Sequence, residues 1–515
     1  MKRKVAIVGA GPGGLAAGML LSANGYDVSI YEKQPYIGGR SSLLHLPSYH
    51  FDRGATFLMM PQKWEELFQL AGRRLNDYVN PLPLDPMYRL QFGELKLEAT
   101  TDRQEMHSRI DSLFPGEGAG YERFMKEEGV KFSRVAPLLE RPFGSWLDYL
   151  GGDLLRALPR LDATTTVHGR LSEYFRDERL RTAFCFQSKY LGMSPWECPG
   201  TFTILSYLEH AYGLMHPIGG INRLCEAMGE VIREFGGALY TGTGVSQVLV
   251  KGGRAHGVLL ENGEKIEADE VIIGADFAHA AANLFAPGVL KKYSPQKLKE
   301  KKYSCSTFML YLGVEGKVAL PHHTILFADD YRSNVDDITK HKRLSEEPSI
   351  YIHNPSALDP TLAPPGHSAM MILVPVPNTL ASIHWEDEAA AFRRRVLDRL
   401  HTMPELQGLE GCIRMEHMVT PWDWRDQMHV YNGATFSLAH SLDQMLTLRP
   451  HNRFQEVDHC WLVGGGTHPG SGLPTILESA KISCAMLMKA RSKPHFTGFG
   501  RSVGKGAASW AAQER

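Results

Sequence analysis

The first thirty residues place two short apolar runs on either side of a glycine-rich turn. The apolar run Lys4–Val8 leads into the glycines of residues 9–14, and small apolar residues follow over 15–23. A second apolar run stands at Asp27–Tyr31. Apolar runs of this length next to turn signals are typical of buried parallel strands. The pattern predicts a strand, a helix and a second strand, which together form a βαβ unit.

Beyond this unit, helical periodicity dominates residues 103–235, and strand-like runs dominate the rest. The dipeptide Asn262-Gly263 lies between two alternating runs, where Asn-Gly favours a β-hairpin. The other predicted elements are strands at 238–250, 255–260, 265–273, 307–314, 349–353, 369–376 and 460–463, and a last helix over 475–489. This order of elements indicates a mixed α/β protein.

Length and charge narrow the class of protein. A chain of 515 residues is longer than one hydrophobic core usually supports, so we expect at least two intertwined domains. Hydrophobic residues make up 43% and charged residues 22%, as in ordinary globular proteins. The formal net charge of -1 gives no polycationic surface, and we therefore predict no nucleic-acid partner.

The seven cysteines are scattered and contain no Cys-x-x-Cys pair. This argues against a disulfide framework and a zinc site, so we expect reduced thiols and no metal. The basic N-terminus and the apolar run after it resemble an export signal, but Pro12 and the glycines interrupt that run. No other stretch has the apolar length of a membrane helix. We expect a cytoplasmic protein that does not span a membrane.

Residues 9–14 read Gly-Ala-Gly-Pro-Gly-Gly, which fits the pattern Gly-x-Gly-x-x-Gly. In such a turn Gly9 permits the tight bend, Gly11 lets the backbone approach a pyrophosphate, and Gly14 lets the helix pack on the strand. Free N–H groups at the helix start favour the phosphate charge. Glu32 ends the next strand, where a carboxylate can bind a ribose hydroxyl. These residues predict a dinucleotide site.

A second glycine pair and an arginine follow, because residues 37–40 read Ile-Gly-Gly-Arg. The guanidinium of Arg40 is forked and always charged, which suits a diphosphate. NAD enzymes do not need this extension, whereas many flavoproteins have it. The sequence contains no second Gly-x-Gly-x-x-Gly pattern, so we expect no NAD(P)H site beside the flavin.

Another glycine-rich turn lies near the end of the chain. Residues 463–475 read Val-Gly-Gly-Gly-Thr-His-Pro-Gly-Ser-Gly-Leu-Pro-Thr, between a predicted strand and the last helix. This glycine content lets the backbone lie against a flat ring, and the helix N-terminus can face a flavin. His468 stands in this turn, where we expect it to shape the backbone rather than to act as a base.

Four segments together resemble the bacterial and fungal carotenoid desaturase family. They are the opening fingerprint with Gly38-Gly39-Arg40, Phe51-Asp52-Arg53-Gly54-Ala55-Thr56, His216-Pro217-Ile218-Gly219-Gly220, and Gly466-Thr467-His468-Pro469-Gly470. The resemblance runs to about residue 492 and is closest to the C30 branch, the dehydrosqualene (diapophytoene) desaturases and the diapocarotenoid oxygenases. The family usually has proline where Ala55 stands, which bears on the rigidity of that loop.

The resemblance implies a noncovalent FAD and a long hydrophobic isoprenoid substrate, such as dehydrosqualene or phytoene, that enters an apolar tunnel from the bilayer. It implies desaturation in carotenoid biosynthesis, with oxygen or a quinone as the electron acceptor. We therefore expect peripheral association with the membrane surface. The fingerprint and the resemblance together assign FAD binding to Gly9, Ala10, Gly11, Gly13, Gly14, Glu32, Lys33, Gly39, Arg40, Thr56, Val245, Gly466, Thr467, Gly470, Gly472 and Leu473.

The expected fold is α/β, with an FAD-binding Rossmann-like domain interleaved with a mixed α+β substrate domain. The FAD-binding domain is predicted to contain a parallel sheet and a β-meander, and to be discontinuous. Its predicted segments are 1–75, 220–305 and 445–492, the substrate and membrane-facing regions are 76–219 and 306–444, and 493–515 is predicted to be a flexible tail.

Asp153 and Arg156 stand three residues apart in an apolar run, so they share a helix face and can form an ion pair. They are either an ordinary surface pair or an acid–base pair beside the substrate. An Asp and an Arg at matching positions of the family look like candidate catalytic groups, and we assign catalysis to this pair.

Three alternatives remain open from the sequence. A diapocarotenoid oxygenase that forms terminal aldehydes has closely similar motifs. A non-catalytic prenyl-lipid carrier shares the general fold, although the glycine motifs at both ends of the chain argue against it. A monoamine-oxidase-like enzyme is the third, and Gly470-Ser471-Gly472 lacks the cysteine usual for covalent flavin attachment.

Overall fold

The computed structural model describes residues 2–491, so the tail predicted for 493–515 lies outside the described residues. The strands are β1 (Lys4–Val8), β2 (Asp27–Tyr31), β3 (Leu43–Leu46), β4 (Tyr49–Asp52), β5 (Leu58–Met59), β6 (Pro81–Pro83), β7 (Tyr88–Phe92), β8 (Leu95–Ala99), β9 (Leu214–Pro217), β10 (Ala238–Tyr240), β11 (Val245–Lys251), β12 (Arg254–Leu260), β13 (Lys265–Glu267), β14 (Glu270–Ile273), β15 (Ser306–Glu315), β16 (His323–Leu326), β17 (Ile350–His353), β18 (His367–Val376), β19 (Ile413–Val419) and β20 (Cys460–Leu462). The α-helices are α1 (Pro12–Ala23), α2 (Pro61–Leu70), α3 (Arg103–Leu113), α4 (Gly118–Leu139), α5 (Gly152–Ala157), α6 (Val167–Leu171), α7 (Glu178–Cys185), α8 (Ile204–Tyr212), α9 (Asn222–Glu234), α10 (Phe277–Asn283), α11 (Pro295–Lys299), α12 (Tyr331–Asp336), α13 (Trp385–His401), α14 (Leu409–Cys412), α15 (Pro421–Asp426) and α16 (Leu473–Arg491).

A five-stranded parallel sheet in the order β10-β2-β1-β14-β20 forms one layer of the protein. Its central strand β1 pairs with β2 on one side and with β14 on the other, so that Val5 lies opposite both Val28 and Glu270. The βαβ unit predicted from the first thirty residues is confirmed. All five strands fall within the segments 1–75, 220–305 and 445–492.

Helix α1 packs closely against this sheet, because two of its positions have no side chain. A Cβ added to Gly14 would lie 2.1 Å from the carbonyl oxygen of Gly9, and one added to Gly18 would lie 2.7 Å from the Ile30 Cδ1. Both positions are buried. The third glycine of the fingerprint therefore sets the distance between helix and strand, as its place in the pattern predicts.

Two predicted strands need correction. The run 238–250 is two strands, β10 and β11, because Gly242 and Gly244 break it, and they belong to different sheets. The run 265–273 is also two strands: β13 pairs with β12 in the predicted hairpin, whereas β14 enters the parallel sheet. Apolar content alone does not show where a strand leaves one sheet for another.

A seven-stranded mixed sheet in the order β19-β15-β18-β17-β16-β7-β8 forms the second layer. Strand β15, which pairs with β19 and β18, alternates between two apolar clusters. Phe308, Leu310 and Leu312 pack on the side of α13, and Met309 and Tyr311 pack on the opposite side. This alternation has the period of two that a strand imposes, and it buries both faces of the sheet.

Helices α3–α9 occupy most of the stretch 103–235, as its periodicity predicts, and they enclose a large aromatic and aliphatic core. The predicted combination of a parallel sheet, a β-meander (β11-β12-β13) and a mixed α+β part is confirmed. None of the helices within residues 2–491 is long and apolar enough to cross a bilayer.

Candidate flavin and substrate site

A polar cavity of about 440 Å³ opens where β1, β2, β14 and β20 end. This is the carboxyl edge of the parallel sheet, which is where open α/β sheets bind ligands. The predicted cofactor residues that line it are Gly9, Gly11, Gly13, Glu32, Lys33, Gly39, Arg40, Val245 and Gly466.

Gly11 leaves the space that a phosphate needs. The atom nearest to a Cβ added there would be the Gly274 carbonyl oxygen at 4.0 Å, so any side chain would enter the cavity. A Cβ on Gly13, by contrast, would lie 3.1 Å from the backbone nitrogen of Gly464. Because α1 starts at Pro12, its first N–H groups lie at this opening and favour an anion.

Glu32 holds the glycine turn against the end of β2. Its carboxylate accepts the N–H of Ala10 at 2.8 Å and the N–H of Gln34 at 2.9 Å. Burial raises the pKa of Glu32, and these hydrogen bonds oppose that shift. Ala10 is therefore linked to the site through Glu32 and does not itself line the cavity within the described residues.

Two basic side chains face the same cavity. The guanidinium of Arg40 donates to the carbonyl oxygen of Thr435 at 2.7 Å and lies 3.7 Å from the Asp276 carboxylate. The Lys33 Nζ lies 2.7 Å from the His429 Nε2, and burial lowers the pKa of Lys33. These groups place positive charge where a diphosphate would lie.

Sequence reasoning missed several residues of this cavity. Gly274, Ala275 and Asp276 directly follow β14, and His279 and His429 lie beside them. Burial raises the pKa of the Asp276 carboxyl, and the nearby Arg40 opposes the shift. The carboxyl end of a parallel strand is the signal that marks these residues, and the prediction of a single hairpin strand over 265–273 hides it.

The glycine loop between β20 and α16 is supported from behind by a buried arginine. Arg449 donates from Nη2 to the Gly465 carbonyl oxygen at 2.7 Å and from Nε to the Thr467 carbonyl oxygen at 3.2 Å. Burial lowers the pKa of Arg449 to about 9. The Thr467 hydroxyl donates to the Pro450 carbonyl oxygen at 2.6 Å. Thr467 thus stabilises the loop. Among the described residues, it lines neither the polar cavity nor the apolar cavity described below.

His468 lies in the same loop and is almost completely buried. Its Nε2 lies 2.9 Å from the carbonyl oxygen of Arg141, and burial lowers the pKa of His468 to about 4. A neutral imidazole hydrogen-bonded to backbone fits the backbone-shaping role expected for it.

A second cavity, with a volume of about 520 Å³, adjoins the first. The two share Arg40, Ser41, Gly465 and Ile476 in their walls. Its remaining walls are mostly aliphatic and aromatic side chains from α4, α8, residues 186–191 and the seven-stranded sheet. The predicted cofactor residues found here are Thr56, Gly470, Gly472 and Leu473.

A hydrogen-bonded pair stands in the wall of this apolar cavity. The hydroxyl oxygens of Thr56 and Tyr351 lie 2.6 Å apart, and both residues line the cavity. The Tyr351 hydroxyl also lies 2.7 Å from the His323 Nδ1. Thr56 therefore connects the cavity to a buried polar network rather than standing alone.

A buried carboxyl group lies behind another part of the wall. The Glu209 Oε2 accepts hydrogen bonds from the Tyr88 hydroxyl at 3.0 Å and from the Gln187 Nε2 at 2.8 Å. Tyr190, which lines the cavity, also hydrogen-bonds to Glu209. Burial raises the pKa of Glu209 to about 7 in spite of these bonds.

The predicted catalytic pair lies on the outer face of α5. Side-chain exposure is 48% for Asp153 and 72% for Arg156, and their closest N–O distance is 3.8 Å. Asp153 also lies 3.4 Å from the Arg141 Nη1. Leu154, between them in sequence, faces the apolar cavity, whereas neither charged residue lines it. The prediction that this pair lies in an apolar setting is wrong, because the charged face of α5 is turned to solvent. Asp153 and Arg156 have the geometry of an ordinary surface ion pair.

Comparison with known proteins identifies a family and relatives. The model of the family "flavin containing amine oxidoreductase" matches residues 12–488. A 4,4'-diapophytoene desaturase (4,4'-diapolycopene-forming) of Methylomonas sp is 48% identical over 485 residues, covering 94% of this chain and 95% of that protein. A lycopene-forming phytoene desaturase of Pantoea ananas is 34% identical over 492 residues, covering 94% of this chain and 98% of that protein.

The fold is also found among solved structures. An oxidoreductase from Methanosarcina mazei has a TM-score of 0.62 with this chain at 17% identity, covering 94% of this chain and 100% of that one. At that identity the likeness shows the fold alone.

Proposed function

Because this chain belongs to the flavin-containing amine oxidoreductases, and within them to the carotenoid desaturases, we propose that it desaturates a C30 isoprenoid of the 4,4'-diapophytoene type. The predicted resemblance, the fold class and the FAD cofactor are confirmed, and the chain is an FAD-dependent oxidoreductase. The choice of a C30 substrate rests on the relative from Methylomonas, which is 48% identical.

The residues of the polar cavity fit FAD. The open space over Gly11 and the N–H groups at the start of α1 would hold the diphosphate together with Arg40, and Glu32 would hold the ribose. The glycine loop supported by Arg449 lies between the polar and the apolar cavity, where it would meet the ring system. Bound FAD supplies a two-electron acceptor for a hydride.

The observation that carries the substrate proposal is the apolar cavity next to the FAD site. A polyene precursor has no polar group to recognise, so the protein must hold it by shape and apolar contact. Side chains such as Phe132, Leu205, Phe327 and Leu373 form such a surface. They exclude water from the carbons that react and hold the long chain in register. Thr56, Tyr351 and His440 are among the polar side chains in the walls.

Peripheral membrane binding is supported by a group of exposed leucines beside the cavity, which we call the leucine patch. Two segments, 147–158 and 442–448, lie together here, since the hydroxyls of Tyr149 and Thr447 are 2.9 Å apart. Leu154 and Leu446 of the same segments line the apolar cavity. The members of the patch are Leu147 (74% exposed), Leu150 (72%), Leu155 (54%), Leu158 (54%), Leu442 (54%) and Leu448 (42%).

Several exposed leucines on two adjoining segments suit burial in the headgroup region of a bilayer. Arg156 and Arg160 are exposed in the same region, where they can attract anionic lipids. We infer that the leucine patch rests on the membrane and that the substrate passes directly from the bilayer into the cavity.

Expression in cells that accumulate dehydrosqualene tests the reaction. A longer conjugated system in the pigment spectra, without new carbonyl groups, is the expected result. Terminal aldehydes would instead identify the diapocarotenoid oxygenase. Unchanged pigments in cells that contain the flavin-loaded protein, together with activity in C40-producing cells, would contradict the C30 assignment but not the desaturation.

A further inference from the structure

Three histidines from distant parts of the chain meet inside the protein. His216 lies in β9, His322 immediately precedes β16, and His353 ends β17. One ring nitrogen from each lies within 4.8 Å of the others. The residues are 0%, 5% and 0% exposed. The three nitrogens are near enough to one another to share one ion, and their burial excludes a solvated histidine cluster.

The imidazole rings of His216 and His322 are each oriented by a neighbouring side chain. The His216 Nε2 lies 2.9 Å from the Asp359 carboxylate, and the His322 Nδ1 lies 3.0 Å from the His323 Nε2. The Asp359 carboxylate also accepts hydrogen bonds from the Gly219 N–H and from the N–H and hydroxyl of Thr361. A carboxylate or an imidazole on the far nitrogen is the arrangement that fixes metal-binding histidines.

The nitrogens that remain have no hydrogen-bond partner within residues 2–491. They are the His216 Nδ1, the His322 Nε2 and both nitrogens of His353. Unpaired buried nitrogens are costly unless something fills the space between them.

We propose that His216, His322 and His353 bind a divalent transition-metal ion of the zinc class at a site separate from the FAD and the substrate. Three imidazoles are a ligand set that zinc accepts, with a fourth position for a small ligand such as water. The ion would join β9 to the seven-stranded sheet. The expectation of no metal rested on cysteine spacing, and these histidines have no sequence spacing that marks them.

The site is connected to the apolar cavity through hydrogen bonds. Metal on the His322 Nε2 leaves the proton on Nδ1, so that His322 donates to His323 and His323 donates to the Tyr351 hydroxyl oxygen. Tyr351 then donates to Thr56, which lines the cavity. The ion therefore fixes the direction of the three hydrogen bonds that lead from His322 to Thr56.

Metal analysis of the full-length, FAD-loaded protein tests the proposal. The protein is dialysed against a chelator, supplied with Zn²⁺ alone, and freed of excess ion. We expect about one zinc ion per chain in the wild type, less than about a tenth in His353→Gln, and the wild-type amount in His210→Gln. His210 is a buried histidine of α8 outside the cluster and serves as the matched control.

The melting temperature gives a second readout that does not depend on activity. Zn²⁺ should raise it in the wild type and in His210→Gln, and should leave it unchanged in His353→Gln. A wild type that binds no zinc and shows no thermal shift would overturn the proposal and indicate buried water between the rings. Full zinc content in His353→Gln would overturn it as well. If His353→Gln does not fold, the wild-type stoichiometry alone decides.

Discussion

The guanidinium of Arg449 donates a hydrogen bond of 2.7 Å to the carbonyl oxygen of Gly465, a residue that lines both cavities. Arg449 is 0% exposed, and its described partners are all carbonyl oxygens, those of Leu438, Gln444, Gly465 and Thr467. The buried positive charge of Arg449 is therefore stabilised by backbone carbonyl oxygens and not by a carboxylate, and the guanidinium in turn positions that backbone. Arg449 therefore holds the loop between the two cavities at Gly465 and Thr467.

Replacing Arg449 with methionine should loosen the loop. The variant keeps most of the side-chain volume but leaves several buried carbonyl oxygens unpaired, which should cost about 2–4 kcal/mol of the free energy of unfolding. We expect a lower melting temperature and a lower FAD-to-protein ratio after purification. Arg453→Met is the control, since Arg453 is exposed. Equal flavin content in both variants would show that Arg449 does not position the FAD site.

Gly11→Val should prevent FAD binding. The valine side chain would enter the space above the glycine turn, because the backbone leaves that direction open to the cavity. We expect a folded protein, by circular dichroism, with little or no flavin absorbance. Gly411→Val, at an exposed position with no neighbouring atom near an added Cβ, should keep its flavin. A folded Gly11→Val protein with a full complement of FAD would contradict our placement of the diphosphate.

Asp153→Asn should leave the reaction nearly unchanged. A general base contributes about 10²–10⁴-fold to a rate, but an exposed carboxylate on the outer face of α5 cannot reach a substrate in the cavity. We expect turnover within a few-fold of wild type at saturating substrate, and the same for Arg156→Gln. A loss of a hundredfold or more with FAD still bound would restore the catalytic assignment and require α5 to turn during turnover.

The contrast between Gly11 and Asp153 shows what the sequence can predict. The glycine fingerprint is contiguous, so its spacing determines its geometry: Gly9 has a positive φ, Gly14 leaves no room for a side chain, and the space over Gly11 is open. The spacing of Asp153 and Arg156 shows that they share a face of α5, but it does not show which face the core buries. That choice depends on packing against α4, a tertiary contact.

The sequence also does not predict which distant residues the order of the strands brings together. Asp276 reaches the polar cavity because β14 lies next to β1, although some 260 residues separate them in sequence. His429 comes from a loop still farther along the chain. No local pattern connects these residues to the fingerprint, and only the assembled sheets place them beside Lys33 and Arg40.

Glu209 should contribute less to the stability of the protein as the pH rises. Its pKa is raised from 4.5 to about 7 by burial, so the folded state holds a proton that the unfolded chain loses at lower pH. The contribution of Glu209 to the free energy of unfolding should therefore fall between about pH 4.5 and pH 7, by up to about 3 kcal/mol. Glu209→Gln keeps an oxygen for Tyr88 and Gln187 and removes the ionisation.

Melting temperatures at pH 5.5 and pH 8 measure this effect. The change in melting temperature from pH 5.5 to pH 8 should be more positive in Glu209→Gln than in the wild type, and Glu94→Gln, at an exposed turn, should match the wild type. The comparison with the wild type is needed because other buried groups also titrate: burial raises the pKa of Asp52 to about 7 and lowers the pKa of His468 to about 4. Identical pH dependence in all three proteins would mean that Glu209 ionises in the folded state as it does in water.

The leucine patch should determine membrane binding. Leu147 and Leu150 are its most exposed members, and replacing both with serine removes apolar area that would otherwise enter the bilayer, at roughly 1.5–3 kcal/mol for each leucine. We expect the partition coefficient of the double variant on liposomes to be about a hundredfold lower than that of the wild type, or lower still. Leu380→Ser is the matched control, because Leu380 is 64% exposed but lies outside the two segments of the patch.

The same variants separate docking from chemistry. Once the substrate is supplied in detergent micelles, Leu147→Ser with Leu150→Ser should regain activity, because neither residue lines the cavity within residues 2–491. With liposome-borne substrate its activity should fall in parallel with flotation, while Leu380→Ser stays at the wild-type level. Undiminished flotation of the double variant would place the membrane contact elsewhere on the surface, and the route from bilayer to cavity would then not pass beside α5.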